Sequence, residues 1–385
     1  MKILLYVNSY LPKIGGRELV VHHLATQYQK LGHEVLVAGP AGKRRFRKFQ
    51  YGYPLERWPI LPVLPAECSW FPELILTKFR HRFDIIHAHS TYPTGYVATK
   101  LKWLLKTPVV ITPHGEDINV IPEIGFGQRL DPKQDPKIRY AVNHADSVTA
   151  ISETIAESLV EVGLEDSKIE RISNGVDLDR FRSPGTADVH QHFGIPVDSE
   201  IVTSIGNYHR RKGHEVLIES VRQALPTRPK LRLIIVGNPS PDLRTAVENQ
   251  GLSDYVKFAG MLPLPVPGVI KPDVLASLLQ ASKIYVSASM DEGAEGLSLA
   301  LLEAMAAGAC PIVTDVSGNR DVITNEANGL VVQPGNPKDL SIAISRLMNN
   351  PELHGCLQKR SGKFVDSYGW RGIAEQYLDL YEKVV

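Results

Sequence analysis

Apolar residues recur along the chain in two alternating forms: short unbroken runs, and longer stretches in which they return every three or four positions. Ile3, Leu4, Leu5, Tyr6 and Val7 make one such run and read as a buried strand. From Arg17 to Leu31, the residues Leu19, Val20, His23, Leu24, Tyr28 and Leu31 fall on one side of a helix. Gly32 stops that helix, and Val35 to Ala38 is the next strand. A strand, a helix and a strand in this order imply parallel pairing. The rhythm returns with a strand at Asp84–His87, a helix at Gly95–Leu105, and strands at Val109–Thr112 and Ser147–Ile151, the last leading into a helix near Ser152. After residue 200 it resumes with strands at Ile201–Ile205, Leu231–Val236, Val256–Gly260, Ile284–Val286, Pro311–Val313 and Gly329–Gln333. Helices lie between them, and a last one, with Tyr377, Leu378 and Tyr381, runs on from Trp370. Residues 41–82 show no clear period, and Met261–Pro272 reads as a proline-rich loop.

This pattern predicts an α/β protein with parallel sheets, and 385 residues are enough for two domains. The expected boundaries are 1–182, a linker at 183–199 with a Ser-Pro-Gly-Thr turn, 200–366, and a terminal helix at 367–385. The net charge is only +1, but it is divided unevenly. Residues 1–110 hold sixteen Lys and Arg against six Asp and Glu, a net of +10, which leaves −9 for the remainder. The N-terminal half is therefore expected to meet something anionic. Cys68, Cys310 and Cys356 have no metal-ligand spacing and suit a reducing compartment. The apolar run after Lys2 is too short for a signal core, and none reaches the ~20 residues of a membrane span. A cytoplasmic protein is expected.

The densest chemistry lies between Ser287 and Ile323. A strand end runs into small and acidic residues, Gly293 and Gly296 break the pattern, and a helix carrying Leu297, Leu301, Leu302 and Met305 follows until Gly308. A glycine-rich turn thus aims a helix N-terminus out of a sheet, offering free N–H groups and a positive dipole end to an anion. Glu295 and Glu303 bracket that start. Eight helical steps are roughly 12 Å, about the distance between sugar and ribose in a nucleotide-sugar laid across the helix end. Spacing alone also fits two surface glutamates, since glutamate favours helices.

The wording around the pair, E-G-L-S-L-A-L-L-E-A-M-A-A-G-A-C-P-I-V, resembles the E-x7-E signature of retaining glycosyltransferases of family 4. T-P-H-G-E-D at 112–117 is similar to that family's H-G-x-D turn, and N-G-V-D at 174–177 to the turn that closes its first domain. The resemblance implies the GT-B fold: two Rossmann-like domains facing a central cleft, with the C-terminal helix crossing back to the first. It implies transfer of a sugar from a nucleotide-sugar with retained configuration, the first domain binding acceptor and the second binding donor. By the same carry-over Glu295 contacts donor-sugar hydroxyls, Glu303 the ribose, and the backbone of Gly296, Leu297, Ser298 and Leu299 the diphosphate. His114 faces the sugar from the first domain, and Gly15 and Gly16 lie under the phosphates or the acceptor.

Arg210, Arg211 and Lys212 open a helix after a strand, where cations can neutralise a diphosphate leaving group. The family commonly has Gly-Arg with a Lys five residues on. Here Asn207 stands in the arginine's place and Lys212 at the expected distance, which leaves two alternatives: Arg210 or Arg211 substitutes, or the phosphate clamp is weaker. Gly15-Gly16 is not a G-x-G-x-x-G fingerprint, so no dinucleotide site is indicated. His87 and His89 invite a metal, but no third ligand is evident, and the Asp177-Leu178-Asp179 triplet reads as a structural loop. No metal and no cofactor are expected. A double displacement needs a carboxylate nucleophile, for which Asp117 is the nearest option; a front-face route is favoured in the family.

UDP-glucose is the expected donor, and a saccharide or lipid-linked molecule the acceptor. The basic run Lys43–Lys48 and the Lys100–Lys106 helix with Trp103 are candidate contacts for an anionic membrane, which would make the protein peripheral on its inner face. No nucleic-acid partner is expected. The rivals are a GT-B-fold sugar-nucleotide epimerase and a non-catalytic sugar-binding protein.

Overall fold

The computed structural model describes residues 1–40, 51–58, 66–263, 272–290 and 296–385. They form two compact units: Met1–Gly175 together with Trp370–Val385, and Val176–Gly369. The basic run at 43–48, most of the proline-rich loop, and Glu295 lie outside the described residues.

The first unit is built on strands β1 (Lys2–Tyr6), β2 (Glu34–Pro40), β3 (Leu55–Trp58), β4 (Ile85–Ala88), β5 (Val109–Ile111), β6 (Ser147–Ala150) and β7 (Ile169–Arg171). They pair in parallel in the order β3-β2-β1-β4-β5-β6-β7. The second unit has β8 (Glu200–Ile205), β9 (Leu231–Val236), β10 (Val256–Gly260), β11 (Ile284–Ser287), β12 (Cys310–Thr314) and β13 (Leu330–Val332). Their order, β10-β9-β8-β11-β12-β13, is also parallel throughout. Helices cover both faces, so the central strands are buried on both sides and read as continuous apolar runs.

In each sheet the direction of strand succession reverses once, between β1 and β4 in the first and between β8 and β11 in the second. Loops leaving neighbouring strands diverge there, and the crevice beyond the strand ends is where open α/β sheets take ligands.

The C-terminal helix, Trp370–Val384, belongs to the first unit. It packs on the helix Gly16–Lys30, with the His23 and Trp370 rings stacked at 5.1 Å and the Tyr28 and Tyr381 hydroxyls 2.9 Å apart. Tyr381 also bonds His87 Nδ1 at 2.5 Å, while His87 Nε2 meets the Thr112 hydroxyl at 2.7 Å. Both nitrogens of His87 are therefore committed to holding the fold, and burial pushes its pKa down to about 3.

The expected division near residue 182 and the linker at 183–199 are corrected. The units divide after Gly175, and the segment beyond it is packed into the second core. Phe181 is buried with Leu301 and Met305, and Val189 and Ile195 with Ile234, Val236 and Leu278. Apolar burial makes a domain edge of what the Ser-Pro-Gly turn made look like a connector.

Candidate active site

In the second unit the loops after β8 and β11 carry the expected donor groups. After β8 comes a 3-10 turn, Arg210–Lys212, capped by His209, whose Nδ1 accepts from the Arg211 N–H. Gly213 follows with φ +63, and a Cβ there would lie 2.0 Å from the Ala288 carbonyl oxygen. Only glycine lets the two loops approach so closely. The Met290 N–H donates to the Arg211 carbonyl at 2.8 Å, which fastens the cationic turn to the segment leading into 291–295. The Lys212 methylenes lie along Gly206, 3.6 Å from where its Cβ would stand. Arg211 is half-buried and Arg210 exposed. Asn207 Oδ1 accepts from the Asn238 N–H at 3.0 Å, so that side chain braces the neighbouring loop.

The helix beyond β11 begins at Leu299, not in the glycine turn. Ser298 caps it, its hydroxyl accepting from the Leu301 N–H at 3.4 Å. The N–H groups of Leu299 and Ala300 donate to nothing among the described residues. That leaves two donors and about half a positive charge at this end. Glu295 precedes the helix, so the expected eight helical steps between the glutamates shrink to four, from Leu299 to Glu303.

Glu303 is not a surface glutamate. It is 9% exposed, in a stretch of the helix where Leu301 to Ala306 are all buried. Its carboxylate makes no hydrogen bond among the described residues. Burial pushes its pKa up to about 7; Arg180 works against that rise, and Asp273 and Asp177 add to it. Arg180 is itself clamped by Asp273 through two bonds of 2.7 and 3.1 Å. Asp177 Oδ1 caps the helix Leu178–Arg182 by accepting from the Arg180 N–H, which gives the Asp-Leu-Asp triplet a structural task.

In the first unit the groups gather beyond β1, β4 and β5. Gly15 is the extended residue before the helix Gly16–Lys30. A Cβ on Gly15 would meet Glu18 Oε2 at 2.5 Å, whereas Gly16 faces open space. Glu18 is buried and accepts the Ser9 hydroxyl, and Arg17 donates to the same Ser9 oxygen at 3.1 Å. His114 follows β5, and its Nε2 lies 3.2 Å from Nδ1 of the fully buried His89. Desolvation among these rings, then the Arg17 charge, holds the His114 pKa well below the usual imidazole range. His114 is therefore a neutral hydrogen-bonding group at neutral pH, not a cation.

Asp117, the nearest carboxylate for a double displacement, is engaged with the backbone. Its Oδ1 accepts from the His114 N–H at 2.8 Å and its Oδ2 from the Thr91 N–H at 2.7 Å, and the side chain is buried. Both oxygens are spent on fixing the turn that presents His114. Sequence reasoning missed the local group Ser9, Arg17 and Glu18, weighed His89 only as a metal ligand and not as the partner of His114, and missed Arg180 and Asp273.

The family pattern described as Glycosyltransferase Family 4 matches residues 14–180, and that described as Glycosyl transferases group 1 matches residues 186–363. The chain is 24% identical to N-acetyl-alpha-D-glucosaminyl L-malate synthase of Bacillus anthracis, over all of this chain and 98% of that one. It is 24% identical to D-inositol 3-phosphate glycosyltransferase of Kineococcus radiotolerans, over 96% and 91% of the two. Its fold is shared by Anabaena HepE in complex with UDP, at a TM-score of 0.81 and 20% identity with both chains fully covered. Sucrose-phosphate synthase of Thermosynechococcus elongatus has a TM-score of 0.81 and 21% identity, covering 100% of this chain and 99% of that one. Two parallel-sheet units in this order, and both halves matched in turn, make the chain a member of the family 4 glycosyltransferases of GT-B fold.

Proposed function

We propose that this glycosyltransferase uses a nucleotide-sugar, with UDP-glucose as the first candidate, and transfers the sugar with retention to a saccharide or a lipid-linked acceptor. The observation that carries the reading is Glu303. A buried carboxylate without a hydrogen-bond donor is costly, and a ribose diol supplies two donors to such a group. The neighbouring N–H groups of Leu299 and Ala300, with Lys212 and Arg211, suit a diphosphate. HepE, whose fold this chain shares, was solved with UDP, with UDP and glucose, and with UDP-glucose. Those complexes motivate the choice of donor.

In this reading the second unit holds the donor and the first the acceptor. Glu303 takes the ribose, Glu295 and His114 the sugar hydroxyls, and Gly296 to Leu299 with Lys212 the diphosphate. Gly16 leaves the backbone open beneath the phosphates or the acceptor, and Gly15, packed against Glu18, lies beside it. The commitment of both Asp117 oxygens to backbone N–H groups favours a front-face route over a glycosyl-enzyme. The bond from the anomeric carbon to the leaving phosphate oxygen breaks. The acceptor oxygen bonds that carbon from the same face, and its proton passes to the leaving phosphate. The protein positions the partners and stabilises the charge that develops on the diphosphate. Lys212, Arg211 and the helix end supply that charge stabilisation, and the reading requires neither metal nor cofactor. A peripheral place on an anionic membrane belongs to the same reading where the acceptor is lipid-linked.

The test is incubation with UDP-glucose and a panel of acceptors, followed by NMR of the products. An α-linked product with release of UDP is expected. Turnover of donor to an epimerised nucleotide-sugar without acceptor would favour the epimerase. Binding without any turnover would favour a sugar-binding protein.

A further inference from the structure

The helices Ala66–His81 and Tyr96–Leu105 lie side by side on one face of the first sheet, sharing a core through Trp70, Leu74, Val97, Ala98, Leu101 and Leu105. They lead into β4 and β5, which are adjacent and parallel. Their C-terminal turns therefore come to the same edge of the sheet, where the strands begin, opposite the edge that carries Gly15 and His114. At that end several outward positions are large and apolar. Trp103 is 82% exposed, Phe79 76%, Leu104 67% and Leu76 45%. Single exposed apolar residues are ordinary, but four large ones at one end of two neighbouring helices are not.

Cations flank them, and two acidic groups at the same edge are engaged: Asp84 accepts the Lys2 N–H and Asp146 is paired with Lys102. Arg82 and Lys106 directly follow the two helices, are exposed, and form no ion pair among the described residues. Two lysines expected to touch lipid are otherwise engaged: Lys102 is paired with Asp146 at 2.9 Å, and Lys100 lies 3.7 Å over the Tyr140 ring. A symmetric pairing of two copies through this patch would bring like charges together. Aromatic and aliphatic side chains flanked by two unpaired cations, Arg82 and Lys106, instead match a surface that is apolar beneath and anionic above.

We propose that this end of the first unit, with Phe79, Trp103 and Leu104 at its centre and Arg82 and Lys106 at its rim, docks on an anionic lipid bilayer. Docking leaves the opposite edge, with Gly15 and His114, open to solution. The inference goes beyond the proposed function and does not depend on a lipid-linked acceptor, since this docking turns the edge with Gly15 and His114 away from the bilayer.

The chain carries its own reporter. Of its four tryptophans, Trp58, Trp70 and Trp370 are buried and Trp103 is exposed. The full chain is mixed with vesicles of phosphatidylcholine alone, or of phosphatidylcholine with phosphatidylglycerol, and tryptophan emission is followed with and without brominated lipid. A blue shift and bromine quenching are expected with the anionic vesicles only, weakening as salt is raised. The double variant Phe79→Ser, Leu104→Ser is expected to lower vesicle affinity at least tenfold, with circular dichroism and turnover of a soluble acceptor unchanged. Anionic vesicles that leave the emission unmoved would overturn the proposal. So would a double variant that binds like the parent, which would place the contact elsewhere. A lipid-free dimer in light scattering that shields Trp103 would replace the bilayer by a second copy. Because transfer to a soluble acceptor is measured separately, failure to bind vesicles and failure to use a nucleotide-sugar are told apart.

Discussion

Replacing Glu303 by glutamine tests the buried carboxylate directly. A carboxyl held at about 7 instead of its ordinary 4.5 disfavours the ionised folded state. At 1.36 kcal/mol per pKa unit that is about 3 kcal/mol. The sign follows from proton counting. Between pH 4.5 and 7 the folded chain holds a proton that the unfolded chain has released, so stability falls as pH rises through that window. Glutamine keeps the shape and cannot ionise. Glu303→Gln should therefore match the parent near pH 5 and exceed it near pH 8 by up to about 3 kcal/mol. For a unit of this size that corresponds to roughly 6–12 °C in the melting temperature of the second unit. Thermal melts of both proteins across that range are the assay. Ribose hydroxyls donating to the carboxylate favour its charged form, so excess UDP should flatten the parent's slope and raise its melt more than the variant's at pH 8. Parallel melting curves at all pH values, or a parent more stable than the variant at pH 8, would refute the reasoning.

His89→Phe keeps the ring stack but removes the nitrogen that meets His114, so kcat/KM should fall by about 2–10-fold, and His114→Ala should cost more than that. Asp117→Asn deprives one of two backbone N–H groups of its charged partner and should destabilise the first unit by about 1–3 kcal/mol. An activity loss of many thousandfold with stability intact would instead favour Asp117 as a nucleophile. Tyr381→Phe removes the hydroxyl shared by His87 and Tyr28; a loss of about 1–2 kcal/mol in denaturant melts is expected, with donor binding unchanged.

Much of the fold was legible because parallel strands buried on both faces write themselves as apolar runs, as at Ile201–Ile205 and Leu231–Val236. The gaps have physical causes. β3 is an edge strand whose Leu-Glu-Arg-Trp lacks such a run, and the helix after it carries Pro72 in its interior. A reading based on periodicity passes over both. Between Val176 and Ser199 the helices are five residues each, too short to show a period, and only their burial reveals the domain they belong to.

The site divides in the same way. Gly15, His114, Lys212 and the helix after Gly296 were readable because glycine turns and strand ends leave local marks. The burial of Glu303 was not, since a lone glutamate in Leu-Leu-Glu-Ala-Met gives no hint of which way it faces. Arg180 and His89 come to their places through strand and helix contacts between segments distant in sequence. The role first given to Asn207 sharpened likewise: its carbonyl oxygen is taken by Asn238, which leaves Arg211 and Lys212 as the candidate cations of the turn after β8.

The central claim is that the second unit binds a nucleotide-sugar through Glu303, Lys212 and the N-terminus of the Leu299–Ala307 helix. Calorimetric titration with UDP, UDP-glucose and a panel of other nucleotide-sugars tests it most directly, on the parent, Glu303→Ala and Lys212→Ala, each checked for fold by circular dichroism. The account predicts saturable binding of at least one nucleotide-sugar to the parent, weakened about tenfold or more in each variant. Absence of binding across the panel, or a Glu303→Ala protein that binds as tightly as the parent, would contradict it.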